Sequence, residues 1–163
     1  MMVDVNFTLN GRVMLASVEP RCNLADLLRE QFHLTATHLG CEHGVCGACT
    51  VLIDGELARS CIALAVSLEG ADVRTLEGMS EDPRMNIIKE AFHEEHGLQC
   101  GFCTPGMLIT IWDILDRTPR CTETELRHAL SGNLCRCTGY QGIVRSAMRA
   151  AEQLNEYIEA PEE

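Results

Sequence analysis

Ten cysteines in a chain of 163 residues are the groups best placed to do chemistry, and eight of them fall into two sets. The later set lies between Leu98 and Tyr140. It consists of Gln99-Cys100-Gly101-Phe102-Cys103-Thr104-Pro105-Gly106 and then Asn133-Leu134-Cys135-Arg136-Cys137-Thr138-Gly139-Tyr140. Each pair ends in Cys-Thr and runs into a helical pattern, which would deliver four thiols at the mouths of two helices. Helix N-termini carry partial positive charge and unpaired N–H donors, a suitable setting for an anionic thiolate centre. The spacing C-x2-C with C-x-C matches no ferredoxin. On its own it fits either an iron–sulfur cluster or a structural zinc, which also accepts paired cysteines. A thioredoxin-type redox pair is disfavoured because no βαβ unit precedes Cys100.

The earlier set is Cys41-x4-Cys46-x2-Cys49, with Cys61 further along. That is the plant-type [2Fe–2S] spacing. A binuclear cluster needs thiolates at both irons, and one wrapping loop can supply three of them. Gly40, Gly44 and Gly47 let that loop turn sharply and bring N–H groups close to the sulfurs. The fourth ligand is expected on the strand that follows Asp54-Gly55. A four-cysteine zinc site is the alternative, but such sites are usually built from two short knuckles, a poor match to three clustered ligands and one distant one.

The rest of the chain has to position these loops. Val3, Val5, Phe7 and Leu9 alternate with polar residues, Asn10-Gly11 supplies a two-residue turn, and Arg12 to Val18 returns as a second strand. Asn23 caps a helix with Leu24, Leu27, Leu28 and Phe32 on its apolar face. Thr50 to Ile53, the Asp54-Gly55 turn and Leu57 to Cys61 form a second hairpin, and Asp72 to Leu76 a last strand. The order ββαββ plus a late strand predicts a small α+β, ubiquitin-like (β-grasp) roll.

From Ser80 onward the pattern is helical. Pro83 suits a first helical position, with Met85, Ile88 and Phe92 on one face before Gly97. Thr104-Pro105 opens a helix carrying Leu108, Ile111, Trp112 and Leu115. Thr122 to Glu125 is a capping box for a third, ended by Gly132. A fourth from Gln141 turns Ile143, Ala147, Ala150, Leu154 and Ile158 inward, before an acidic end, Glu159 to Glu163, that is expected to fray. The boundary between sheet and bundle falls near residues 77 to 82.

Composition narrows the function classes. Apolar residues make up 46% of the chain but aromatics only 4%, so aliphatic side chains must fill the core. Thirteen Lys and Arg against 24 Asp and Glu give a formal charge of −11, which argues against nucleic acid as a partner. The N-terminus shows no signal-peptide pattern and no apolar run reaches the ~20 residues of a spanning helix, so the cytoplasm is the expected compartment. Thiols there bind metals more readily than they form disulfide frameworks.

Gly40-Cys41-Glu42-His43-Gly44-Val45-Cys46-Gly47-Ala48-Cys49-Thr50, with the two later cysteine motifs, strongly resembles the small iron–sulfur subunit of molybdenum hydroxylases, the xanthine oxidase family. That family includes bacterial carbon monoxide, quinoline, nicotine and aldehyde dehydrogenases. The resemblance runs from about Val3 to Leu154 and misses no ligand position. It implies a ferredoxin-like [2Fe–2S] domain over residues 1–78 and a four-helix [2Fe–2S] domain over 79–163. It implies that Cys41, Cys46, Cys49 and Cys61 hold the cluster facing a flavin, and that Cys100, Cys103, Cys135 and Cys137 hold the one nearer the molybdenum. Gln99 and Cys137 would lie against the pterin.

The implied function is electron relay from a molybdopterin centre in a large partner subunit, through both clusters, to FAD in a medium subunit, in a dimer of heterotrimers. The chain itself would carry no catalytic residue. Two rival classes are a free-standing ferredoxin, which would need no second cluster in a bundle, and a zinc-bound scaffold, which would be colourless.

Several residues are left without a role. Cys22 and Cys121 read as packed or exposed thiols. His38, His43, His93, His96 and His128 are surplus, because eight cysteines complete two four-ligand sites, although His43 is placed to hydrogen-bond near the first. Met107 and Trp112 read as core. Arg136, between two thiolates, either offsets their charge or is simply solvated.

Overall fold

The structure is a computed structural model and describes residues 1–159; Ile158 and Glu159 are described as backbone only. The inward placement of Ile158 and the fraying of the acidic end therefore lie outside the described residues. Strands β1 (Val3–Leu9) and β2 (Arg12–Val18) form the expected hairpin, with Asn10 and Gly11 at φ of 51° and 77°. Both values are left-handed, which a type I′ turn requires. Strands β3 (Thr50–Ile53), β4 (Glu56–Arg59) and β5 (Asp72–Arg74) complete a sheet in the order β2-β1-β5-β3-β4. Only the β1–β5 pairing is parallel, with Thr8 opposite Asp72. The β3–β4 turn repeats the first solution, with Asp54 and Gly55 at φ of 52° and 80°.

Two strand ends differ from expectation. Strand β4 stops at Arg59, so Cys61 sits in the turn beyond it, where Ile62 N donates to Arg59 O at 3.1 Å. Strand β5 stops at Arg74, because Leu76–Met79 coils into a 3₁₀ turn.

Helix α1 (Leu24–Asp26) starts as expected: the Asn23 side chain accepts from Asp26 N at 2.9 Å. Removing such a cap costs about 1 kcal/mol. It then widens into a π-helical turn over Leu27–Gln31, closed by Phe32 N donating to Leu27 O at 3.3 Å. The wider turn still buries Leu24, Leu27 and Leu28 against Val5, Phe7, Val18, Val51 and Val73 of the sheet. Phe32 closes that core edge-on to Phe7, ring centroids 5.9 Å apart.

Helices α2 (Pro83–Glu94), α3 (Thr104–Arg117), α4 (Glu123–Ala129) and α5 (Gln141–Glu159) enclose a second core. Met85, Ile88, Phe92, Met107, Ile111, Leu126, Ile143 and Ala147 are its centre. The Thr122 capping box forms with both bonds in place, and Pro83 occupies the first turn of α2 behind the Asp82 cap. Trp112 is only half-buried: its Nε1 donates to Asp82 Oδ2 at 2.9 Å and Arg84 stacks on its ring. Strand β3 belongs to both cores. Its alternation sends Val51 into the sheet core and Leu52 into the helical one, so sheet and helices are packed through a strand buried on both faces. No helix among the described residues is long and apolar enough to cross a membrane.

Candidate metal centres

Both cysteine sets assemble, and each does so as two pairs. In the first set Cys41 is neighboured by the Cys46 thiol, and Cys61 by that of Cys49. In the second, Cys137 Sγ donates to Cys100 Sγ at 3.4 Å, and Cys103 is neighboured by the Cys135 thiol. All ten cysteines are free thiols. Among the described residues, no three His, Cys, Asp or Glu side chains converge as donors to a single ion. Two-by-two grouping is the pattern a binuclear cluster needs, two thiolates per iron.

The first loop is shaped by positive φ at Glu42 (54°), Gly44 (74°) and Gly47 (76°). It curls the N–H groups of His43, Val45 and Cys46 onto Cys41 Sγ, at 3.4, 3.4 and 3.3 Å. Those donors, Cys46 N–H and then His43 N–H foremost, hold the Cys41 thiol down at about 6. Its partner pair is different in character: Cys49 and Cys61 are buried, and burial, followed by the contact with Cys49, pushes Cys61 up to about 11. His43 does lie by the first set, its Nδ1 against Cys41 O.

In the second set Cys103 occupies the N-cap position of α3, so it lies at that helix mouth as expected, without a side-chain capping bond. Cys135 and Cys137 do not sit at a helix mouth. Thr138, Gly139 and Tyr140 intervene before α5, with Gly139 and Tyr140 at φ of 62° and 68° to reverse the chain. Burial, then the contact with Cys135, pushes Cys103 up to about 12. Cys100 is lowered by the N–H of Phe102 and then by the Cys137 thiol, and Cys137, as donor, is raised. Burial acts upward on Cys135, but bonds from Thr138 and from Cys137 N–H outweigh it and leave it lowered. Gln99, Cys100 and Cys137 are all exposed, and the Cys100–Cys137 contact puts the three on one patch. Arg136 is exposed, Cys22 half-buried and Cys121 buried.

Tyr140 escaped the sequence reading. Its hydroxyl accepts from Cys135 N at 2.9 Å and lies 3.3 Å from Asn133 O, pinning the Cys135 loop from five residues away. His38, surplus by sequence, has a structural part: its ring stacks on Phe102 at 4.8 Å and Nδ1 lies 2.7 Å from Phe102 O, tying the approach to Cys41 to the Cys100–Cys103 turn. A tyrosine so soon after Cys-Thr was a local signal for the first; nothing local marked the second.

The surroundings suit a cluster in each loop. Gly40 leaves a cradle, since a Cβ there would lie 3.0 Å from Cys46 Sγ. Thr104 Oγ1, directly after Cys103, is buried with no hydrogen-bond partner, a donor left over for a sulfide. Exposed apolar side chains surround the thiols: Val45, Ile62 and Leu64 near the first set, and Leu98, Phe102 and Leu134 near the second.

Residues 7–76 match the 2Fe-2S iron–sulfur cluster binding domain, and residues 75–148 match the [2Fe-2S] binding domain. The chain is similar to the caffeine dehydrogenase subunit gamma of Pseudomonas sp. (strain CBB1), 47% identical over 161 residues, which cover 97% of this chain and 96% of the relative. It is 48% identical to the nicotine 6-hydroxylase small subunit of Paenarthrobacter nicotinovorans, over 93% of this chain and 92% of that one. Among solved structures it superposes on a chain of quinoline 2-oxidoreductase from Pseudomonas putida 86 with a TM-score of 0.89, at 46% identity, covering 95% of this chain and 97% of that one.

Proposed function

Because the chain belongs to the small iron–sulfur subunits of molybdenum hydroxylases, we propose that it relays electrons from a molybdopterin centre in a large partner subunit to FAD in a medium one. The observation that carries this is the pairing of thiols two by two in both sets. Cys41, Cys46, Cys49 and Cys61 would hold one [2Fe–2S] cluster, and Cys100, Cys103, Cys135 and Cys137 the other. Each cluster, when bound, supplies a site that takes up and gives up one electron at a time.

The chain's own contribution is to hold and insulate. The N–H groups of His43, Val45 and Cys46 favour negative charge on Cys41. Burial of Cys49 and Cys61 excludes water from the inner side of the first set. Exposed Gln99 and Cys137 are the face we assign to the pterin, and the Glu42–Val45 tip the face we assign to the flavin subunit. In this reading residues 1–78 are a β-grasp ferredoxin-like domain and 79–163 a four-helix domain. The chain would be the small subunit of each heterotrimer in a dimer of heterotrimers in the cytoplasm. The complex would hydroxylate or dehydrogenate a small organic substrate or CO in the large subunit, and relatives named for caffeine, nicotine and quinoline favour an N-heteroaromatic compound.

The test is elemental and spectroscopic. The purified chain should contain iron and acid-labile sulfide in equal amounts, enough for two clusters, and show two EPR signals on reduction. Zinc without acid-labile sulfide would overturn the assignment.

A further inference from the structure

Between the two thiol sets lies a polar joint that the relay reading does not use. Arg59, the last residue of β4, donates from Nη1 to Thr50 Oγ1 at 2.5 Å. From Nη2 it donates to Gly132 O at 2.7 Å and Asn133 Oδ1 at 3.4 Å. Asn133 is only 2% exposed, so its amide needs partners inside the protein, and it has them. Its Nδ2 donates to Gly47 O at 3.3 Å, and the Thr110 hydroxyl lies 3.2 Å from its Oδ1. Arg59 and Asn133 therefore bond the residues flanking Cys46 and Cys49 to the residues just before Cys135.

Three glycines let the backbones close around this joint. A Cβ on Gly106 would lie 2.2 Å from Gly47 O, one on Gly47 2.6 Å from Gly132 O, and one on Gly132 2.8 Å from Arg59 Nη2. At the centre, Leu134 N donates to Cys46 O at 2.8 Å. That bond joins a thiol-bearing residue of one set to the immediate neighbour of Cys135 in the other. Arg59 meets hydroxyl and carbonyl oxygens here and, among the described residues, forms no ion pair. A planar fork of fixed donors sets geometry in a way that a flexible ammonium does not.

We propose that Arg59 and Asn133 are positioning residues that fix the two cysteine loops relative to each other, and so set the interaction between the two cluster sites. The proposal rests on the relay reading only in assuming that both sets are loaded.

The experiment uses the full chain, with and without its iron. In Arg59→Ala and Asn133→Ala, exchange of the Leu134 amide should quicken by about tenfold in the iron-free chain, as expected when a buried hydrogen-bond network loses a member. In the loaded chain both clusters should be retained, while the magnetic splitting between the two reduced centres shrinks or disappears. Splitting falls steeply with separation, and a loss of general stability would not move it. Arg59→Lys keeps the stem and the charge but breaks the fork; it should show the same two effects, and it serves if either alanine variant fails to fold. Unchanged Leu134 exchange with unchanged splitting would overturn the proposal. Loss of one cluster with Leu134 exchange unchanged would also overturn it, by assigning the joint to a single site. Too little iron for two clusters in the unmodified chain would count against the relay reading instead, and the exchange comparison in the iron-free chain would still decide the joint.

Discussion

Replacing Gly106 with alanine sets two physical effects against each other at one position. Gly106 lies in the first turn of α3 with a helical backbone, and helix propensity alone favours alanine by about 0.8–1 kcal/mol. The added Cβ, however, would lie 2.2 Å from Gly47 O and 3.3 Å from Ala48 O. Ordinary contact begins near 3.4 Å, so the Cys46–Cys49 segment must retreat by roughly 1.2 Å. The obstructing atom is backbone, held by Asn133 Nδ2 and by the Thr50 hydroxyl at 2.6 Å, and cannot swing aside as a side chain would. Overpacking of this kind costs about 1–3 kcal/mol, and loosening of the Gly47 bonds adds about 1 kcal/mol. The net expectation is a loss of about 1–3 kcal/mol. Thermal unfolding of the loaded chain, followed by circular dichroism, should show Tm falling by several degrees. A Tm equal to or above that of the unmodified chain would mean that propensity wins, and that the approach of α3 to the first thiol loop is not tight.

Other perturbations separate the two thiol sets. Cys137→Ser should abolish the EPR signal of the later set and leave that of the earlier set intact; both signals undiminished would contradict the ligand assignment. In the iron-free chain, alkylation of Cys41 should rise through a midpoint near pH 6, while Cys61 and Cys103, raised to about 11 and 12, stay unmodified at neutral pH. Cys41 is depressed from the ordinary 9.0, so the stability its thiolate contributes is full above pH 9 and is lost as pH falls through 6. Cys61 and Cys103 act in the opposite sense, contributing below pH 9 and losing that contribution as pH rises through about 11 and 12. Amides of Glu42 to Val45, with Val45 now 62% exposed, should become protected on assembly with the flavin subunit; unchanged exchange there would mean that the tip faces solvent in the complex.

Features governed by near neighbours are legible in the sequence. The Asn10-Gly11 and Asp54-Gly55 turns, the Asn23 cap and the Thr122 box follow from residues within four positions of each other, where backbone preference and side-chain reach decide the outcome. The eight thiols were visible through spacing and through resemblance. Where a strand or helix ends was harder. Cys61 was expected on β4, yet the sheet ends at Arg59, whose side chain is committed to Thr50 and to Gly132, 73 positions away. The π-helical turn at Leu27–Gln31 left no mark in the apolar pattern because either winding buries Leu27 and Leu28. Asn133 read only as the residue before Leu134-Cys135. Its role depends on Gly47, Arg59 and Thr110, which share no sequence neighbourhood with it.

The bond between Asn133 and Gly47 spans 86 positions, and this bears on the order of events during synthesis. A chain leaves the ribosome N-terminus first, and its early part can begin to fold while later residues are still being added. The Cys41–Cys49 loop and Cys61 therefore emerge long before Gly106, Gly132 and Asn133, which form the far wall of that loop. Until then the loop is open on the side that α3 later covers, and Arg59 has its partner at Thr50 but not at Gly132. At this stage all four thiols of the first set are in the chain and their far wall is not. The second set cannot exist before its own last cysteine, Cys137, has been added, and by then Asn133 is present to shut the first. The order of translation thus presents the earlier thiols before their roof, and that roof arrives with the later set.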